Sequence, residues 1–137
     1  MKKVYPVIFT KAEDVILVEV PDLNILTEGK DMVDAIEMAR DAIGLYGISR
    51  EDHGEMIPDA SLVSEIDISK GTFVNDGEGS ISYVDVDFAI YRRKVDNKVV
   101  RTNVTLPNWL KQEAEKAGVN ISKVLQEALM AKLGVYR

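Results

Sequence analysis

Between Val100 and Leu106 the chain alternates without a break. Val100, Thr102, Val104 and Leu106 fall on one side of an extended backbone, Arg101, Asn103 and Thr105 fall on the other, and Pro107 ends the run. Period two is the signature of a strand with one face to bury and one face left wet. The pattern then changes to steps of three and four. Leu110, Ala114 and Ala117 mark a helix starting at Pro107 and stopped by Gly118, since proline's missing N–H is unpaired at a helix start in any case. Ile121, Val124, Leu125, Ala128, Leu129 and Leu133 mark a second helix, with Asn120 placed as its N-cap. Trp109 is expected to pack at the edge of the first of these helices.

Upstream, "KVYPVIFT" and "VILVEV" read as two strands joined by the charged turn "KAED", and "LNILTE" reads as a third, after Pro21-Asp22. From Asp31, a plausible N-cap, Ile36, Ala39, Ile43 and Tyr46 recur at helical spacing among Asp34, Glu37, Arg40 and Asp41, and Gly44 or Gly47 is expected near the helix end. "SREDHGEMIPDAS" reads as an exposed loop. Val84, Val86, Phe88 and Ile90 alternate with Tyr83, Asp85 and Asp87, which extends the antiparallel meander by one strand. "YRRKVDNKV" reads as a basic connector. The expected organisation is an α+β domain over residues 1–90, a linker over 91–97, and a strand-helix-helix module over 98–137. There is no internal repeat.

Charge sharpens this division. Residues 1–89 hold 7 Lys and Arg against 19 Asp and Glu, net −12, whereas residues 90–137 hold 10 against 4, net +6. An acidic body that repels nucleic acid and a basic tail that can neutralise phosphate are two electrostatic tasks in one chain. The apolar fraction of 46% and charged fraction of 29% are those of a globular protein. No run reaches the ~18 apolar residues of a membrane span. The stretch after "MKKVYPVIF" is too polar for a signal peptide, so a cytoplasmic location without membrane association is expected. With no cysteine, disulfides, thiolate catalysis and Cys-based zinc sites are excluded.

The tail module spans about 37 residues, Lys98 to Gly134, below the ~40 at which an isolated core usually needs outside help. A twofold pairing of the strand with its copy would bury Val100, Thr102, Val104 and Leu106 and leave Arg101, Asn103 and Thr105 of both chains on the open face of a two-stranded ribbon. Such a ribbon fits the major groove of DNA. There Arg can bond guanine, Asn can bond adenine, and a Thr methyl can touch thymine.

"VRTNVTLPNWLKQEAEKAGVNISKVLQEAL" resembles the ribbon-helix-helix DNA-binding module in its alternating strand, its Leu106-Pro107 exit and its Gly118-x-Asn120-x-Ser122 entry to the second helix. The resemblance implies a phosphate clamp at Asn120, Ile121, Ser122 and Lys123, in keeping with the positive end of a helix dipole. "VPDLNILTEGKDMVDAIEMARDAIGLY" followed by "IPDAS" resembles the amino-terminal domain of HicB antitoxins, a truncated ribonuclease-H-like sheet with one helix, from Tyr5 through Ser61. Residues 66–83 fit that pattern least well and read as an insertion.

The resemblance implies an antitoxin, not an enzyme, whose acidic first domain binds HicA, a small basic mRNA-cleaving toxin, and whose tail represses its own operon as a homodimer on operator DNA. A dimer of dimers through the first domain is left open, and the toxin-contacting residues are not assigned. No metal or other cofactor is expected. Two other functions fit the pattern: a stand-alone regulator with a ligand-sensing first domain, and a metal-dependent nuclease using Asp85 and Asp87. The nuclease is disfavoured because the first strand carries no acid and the only histidine, His53, lies in a polar loop with no nucleophile beside it.

Overall fold

The computed structural model describes residues 1–96 and 99–135. The chain divides into two units, Met1–Lys98 and Val99–Arg137. Asn97 and Lys98, the end of the expected linker and the start of the expected strand-helix-helix module, lie outside the described residues, as do Tyr136 and Arg137.

The first unit is built on a four-stranded antiparallel sheet in the order β3-β2-β1-β4. The strands are β1 (Lys2–Lys11), β2 (Ile16–Val20), β3 (Ile25–Gly29) and β4 (Glu78–Asp87). Their registers, with Phe9 opposite Val18, Val18 opposite Thr27 and Tyr5 opposite Val84, place the odd residues of β1 on one face. Helix α1 (Met32–Asp52) lies on that face. Tyr5, Val7, Val18, Val20, Ala35, Ala39 and Ile43 are fully enclosed there; each large side chain contributes about 1.5–3 kcal/mol, and the alanines let the helix approach the strands. Pro6 is tolerated in this central strand because β1 pairs with β2 only from Ile8 onward, leaving that flank without a ladder to break.

The helix start matches the sequence reading: Asp31 accepts from the Asp34 amide at 2.8 Å. The expected end at Gly44 or Gly47 is corrected, since α1 runs through both to Asp52 and takes in the first four residues of the expected loop. The two glycines serve packing. Residues 88–95, read as the end of a strand and part of a linker, form helix α2 (Phe88–Val95), and its aromatic rings press onto α1. A Cβ on Gly44 would stand 2.6 Å from the Tyr91 ring, and one on Gly47 2.1 Å from Cε1 of Phe88. Arg92 then pairs with Glu51 at 2.9 Å and Asp52 at 3.0 Å, and Lys94 with Asp41 at 3.9 Å. Burial, and next the Asp41 charge, raise the Tyr91 hydroxyl above its ordinary range.

The opposite face of the sheet is also covered, which explains why β1 is buried on both sides: Ile8 and Thr10 are only 4% and 2% exposed. The cover is an irregular stretch following α1, with short 3-10 turns at Val63–Glu65 and Ile68–Lys70. Ile68 lies over Gly79, Val63 donates its amide to the Tyr83 hydroxyl at 2.9 Å, and Thr72 donates its amide and hydroxyl to Glu19 at 2.9 and 2.8 Å. The stretch from residue 66, read as an insertion, therefore helps to cover the β1 and β4 part of this face and leads into the fourth strand.

In the second unit, α3 (Asn108–Lys116) follows Pro107 and α4 (Ile121–Leu133) follows Asn120. Between them Gly118 takes φ 68°, the left-handed turn that stops the first helix. Residues 99–106, expected as a strand, are irregular and exposed throughout. A strand is defined by its pairing, and within the described residues of one chain this segment has none.

Candidate functional site

The candidate site of the second unit is the segment 99–106 together with the first turn of α4. Arg101, Asn103 and Thr105 are all exposed. So are the alternate positions expected to be buried: Val100 is 74% exposed, Val104 49% and Leu106 38%. The helices repeat this. Leu110, Val124, Leu129 and Leu133 each leave at least 40% of their surface in solvent, and no described residue of the unit is buried. Trp109 is 62% exposed rather than packed. Apolar stripes of this width have helical and strand spacing but no core of their own to enter.

At the start of α4 the Asn120 side chain accepts from the Lys123 amide at 3.1 Å. This confirms the expected cap and changes what the turn can offer. The Lys123 amide is occupied, so the backbone amides of Asn120, Ile121 and Ser122, the Asn120 Nδ2, the Ser122 hydroxyl and the Lys123 ammonium are the groups left to face an anion. Asn120 also shapes the turn.

The first unit shows what its carboxylates do. Asp85 pairs with Arg40 at 3.2 Å, and Arg40 Nε donates to the Asp85 carbonyl at 3.0 Å along the outer edge of β4. Asp87 caps α2, accepting from the amides of Ala89 and Ile90 at 3.0 and 3.3 Å. Both acids thus have structural tasks, and among the described residues no three His, Cys, Asp or Glu side chains are grouped to hold a metal. His53 Nδ1 lies 2.7 Å from the Ser49 carbonyl at the exposed end of α1, a capping position.

The two stretches "VPDL" and "IPDAS" meet in space. Pro21–Leu23 forms a 3-10 turn closed by Asn24 in the left-handed region at φ 52°. There the Asp22 carboxylate accepts from the Ser61 amide at 2.8 Å and the Ser61 hydroxyl at 2.7 Å. Tyr5 donates its hydroxyl to the Pro58 carbonyl, and Lys3 reaches Asp59 at 3.7 Å. Burial first, then the charges of Asp22 and Asp59, push the Tyr5 hydroxyl up to about 12. These contacts fasten the loop after α1 to the sheet. Sequence reading had the residues but not the pairing, for nothing in their spacing links positions about forty apart. The α2 helix did leave a signal: Asp87 before it, then Phe88, Tyr91 and Val95 at i, i+3 and i+7.

No described helix is long and apolar enough to cross a membrane. Two solved structures share the fold. A toxin-antitoxin complex from Streptococcus pneumoniae has a chain 22% identical, with TM-score 0.61, covering 96% of this chain and 99% of that one. The antitoxin HicB of Burkholderia pseudomallei is 24% identical, with TM-score 0.52, covering 96% and 97%. A search of curated proteins gave no significant match. Residues 5–132 match the family described as HicB_like antitoxin of bacterial toxin-antitoxin system, whose members are regulatory components rather than enzymes, and with that match spanning both units this chain belongs to the HicB-like antitoxin family.

Proposed function

We propose that this chain neutralises a HicA-like mRNA-cleaving toxin through its first unit and represses its own operon through its second. The observation that carries the second half is the tail's missing core. A segment with strand periodicity and two helices leaves every described apolar side chain at least partly exposed, and a second copy supplies the surface that would cover them. In the resulting ribbon-helix-helix dimer, residues 99–106 pair antiparallel across the twofold axis. Arg101, Asn103 and Thr105 of both chains then read base edges in the major groove, while the first turn of α4 holds a phosphate on either side.

The first half rests on family membership and on charge. An acidic first unit attracts a basic ribonuclease, speeds its capture and occupies the surface that would meet RNA. The similar fold of the pneumococcal chain occurs in a toxin-antitoxin complex, in keeping with a toxin partner here. A cytoplasmic site of action follows from this role.

The test is co-expression with the small basic protein encoded beside this chain. The proposal expects a stable complex, protection of RNA from the toxin, and binding of that complex to the shared promoter. A chain that binds the promoter but neither retains nor inhibits the neighbouring protein is instead a stand-alone regulator.

A further inference from the structure

The sheet face opposite α1 is covered unevenly. Residues opposed across antiparallel strands share a face, so this face reads in rows: Ile81, Ile8, Glu19 and Leu26, then Gly79, Thr10, Leu17 and Glu28. The irregular cover protects the β4 and β1 end of each row and stops at Glu19, which holds Thr72. Past that point Leu26 is 54% exposed, Glu28 is exposed and Leu17 is half-buried. On the Glu19 side of Leu26 lies a shallow cleft of about 260 Å³, with Ile8, Glu19, Ile66, Asp67 and Lys70 among its walls. β3 is also the last strand of the sheet, so its outer edge has no strand partner among the described residues.

Other exposed apolar positions are less suited to a basic partner. Leu45 and Met56 flank the end of α1, but Arg50 lies between them, its guanidinium on Tyr46, on Glu55 and on the Met56 carbonyl. Three acids of α1 are already engaged, Asp41 by Lys94 and both Glu51 and Asp52 by Arg92. The outer edge of β4 is occupied by Arg40. Among the described residues Glu28 makes no ion pair, and the residue opposite it on β2 is Leu17.

From this we infer that the β2–β3 margin is the toxin-docking surface, with Leu26 as the apolar anchor and Glu28 as the charge that meets a lysine or arginine of the partner. An apolar centre with a carboxylate at its rim is the arrangement that lets shape set affinity and charge set orientation. The inference rests on the toxin-binding reading above and names the surface that carries it.

The experiment measures the affinity of the full chain for the neighbouring basic protein, with Leu26→Arg and Glu28→Lys as test variants and Leu45→Arg as the control on α1. Each test variant is expected to lose about tenfold or more in affinity, while its thermal melt and its promoter binding stay as in the wild type. Leu45→Arg is expected to bind normally. Should both test variants hold the toxin as tightly as the wild type, or Leu45→Arg alone release it, the docking surface is elsewhere though the toxin reading stands. A wild-type chain that binds no toxin overturns both.

Discussion

Gly47→Ala sets two known effects against each other on α1. Alanine in place of glycine in a helix interior favours the helix by about 1 kcal/mol. At this position, however, the new methyl would lie 2.1 Å from Cε1, 2.6 Å from Cδ1 and 2.7 Å from Cζ of Phe88, where carbon atoms need ~3.5–4 Å. The ring must retreat by more than 1 Å, and Phe88 is itself only 2% exposed. Forcing an added methyl into packed surroundings costs about 1–3 kcal/mol or, where the ring gives way instead, about 1.5–3 kcal/mol of Phe88 burial is forfeited. By either route the clash outweighs the helix gain, and a net loss of up to about 2 kcal/mol is expected. It should appear as a lower urea midpoint in the tyrosine circular dichroism of the first unit and as faster amide exchange across residues 88–95. Phe88→Leu in the Gly47→Ala background should recover part of the loss, giving a coupling between the two positions. A Gly47→Ala protein that is more stable than the wild type, with residues 88–95 equally protected, would refute the packing of α2 on α1.

Three further outcomes are expected. Tyr5 keeps its proton in the folded chain up to about 12, whereas an unfolded tyrosine loses it near 10. Its contribution is therefore complete below ~10 and falls as pH rises through that window; Tyr5→Phe should flatten the alkaline fall in a pH series of melts, and an unchanged slope would remove Tyr5 as its source. Asp22→Ala leaves the Ser61 amide and hydroxyl without their acceptor, a loss of about 1–3 kcal/mol, read as a lower melting temperature; no change would mean the loop is held by other contacts. In promoter-binding assays, Arg101→Ala should relax preference at one base position per half-site at a cost of about 1–3 kcal/mol, while Lys123→Ala should weaken all sequences alike and flatten the salt dependence. Equal losses on promoter and random DNA for Arg101→Ala would take it off the reading face.

What could be read from the sequence follows physical lines. Strands β1 to β3 and helices α1, α3 and α4 were legible because each has an apolar face of one clear period, and Asp31 and Asn120 were legible as caps because that chemistry is local. The ends of elements were harder. Gly44 and Gly47 look like stop signals, yet here they are sockets for Phe88 and Tyr91, a use that depends on residues some forty positions away. In residues 84–90 an alternating pattern runs straight into a helical one, and Phe88 satisfies both periods, so the strand pattern continues past Asp87 and masks the start of α2. The cover over Ile8 and Thr10 has no period at all, being held by single contacts such as Thr72 to Glu19. In the tail, the spacing of the candidate base-reading residues is plain, while the pairing proposed for them involves a second chain.

The central claim, that the tail gains its strand and core only from a second copy, is tested most directly by amide hydrogen exchange across residues 99–106 of the full chain, compared between wild type and Val104→Asp. Val104 is 49% exposed within one chain, where a surface substitution changes stability by no more than about 0.5 kcal/mol. In a paired ribbon the same change buries a carboxylate. The account predicts slow exchange over residues 99–106 in the wild type and its loss in Val104→Asp. Coil-like exchange in the wild type, or the same protection in both proteins, would contradict it.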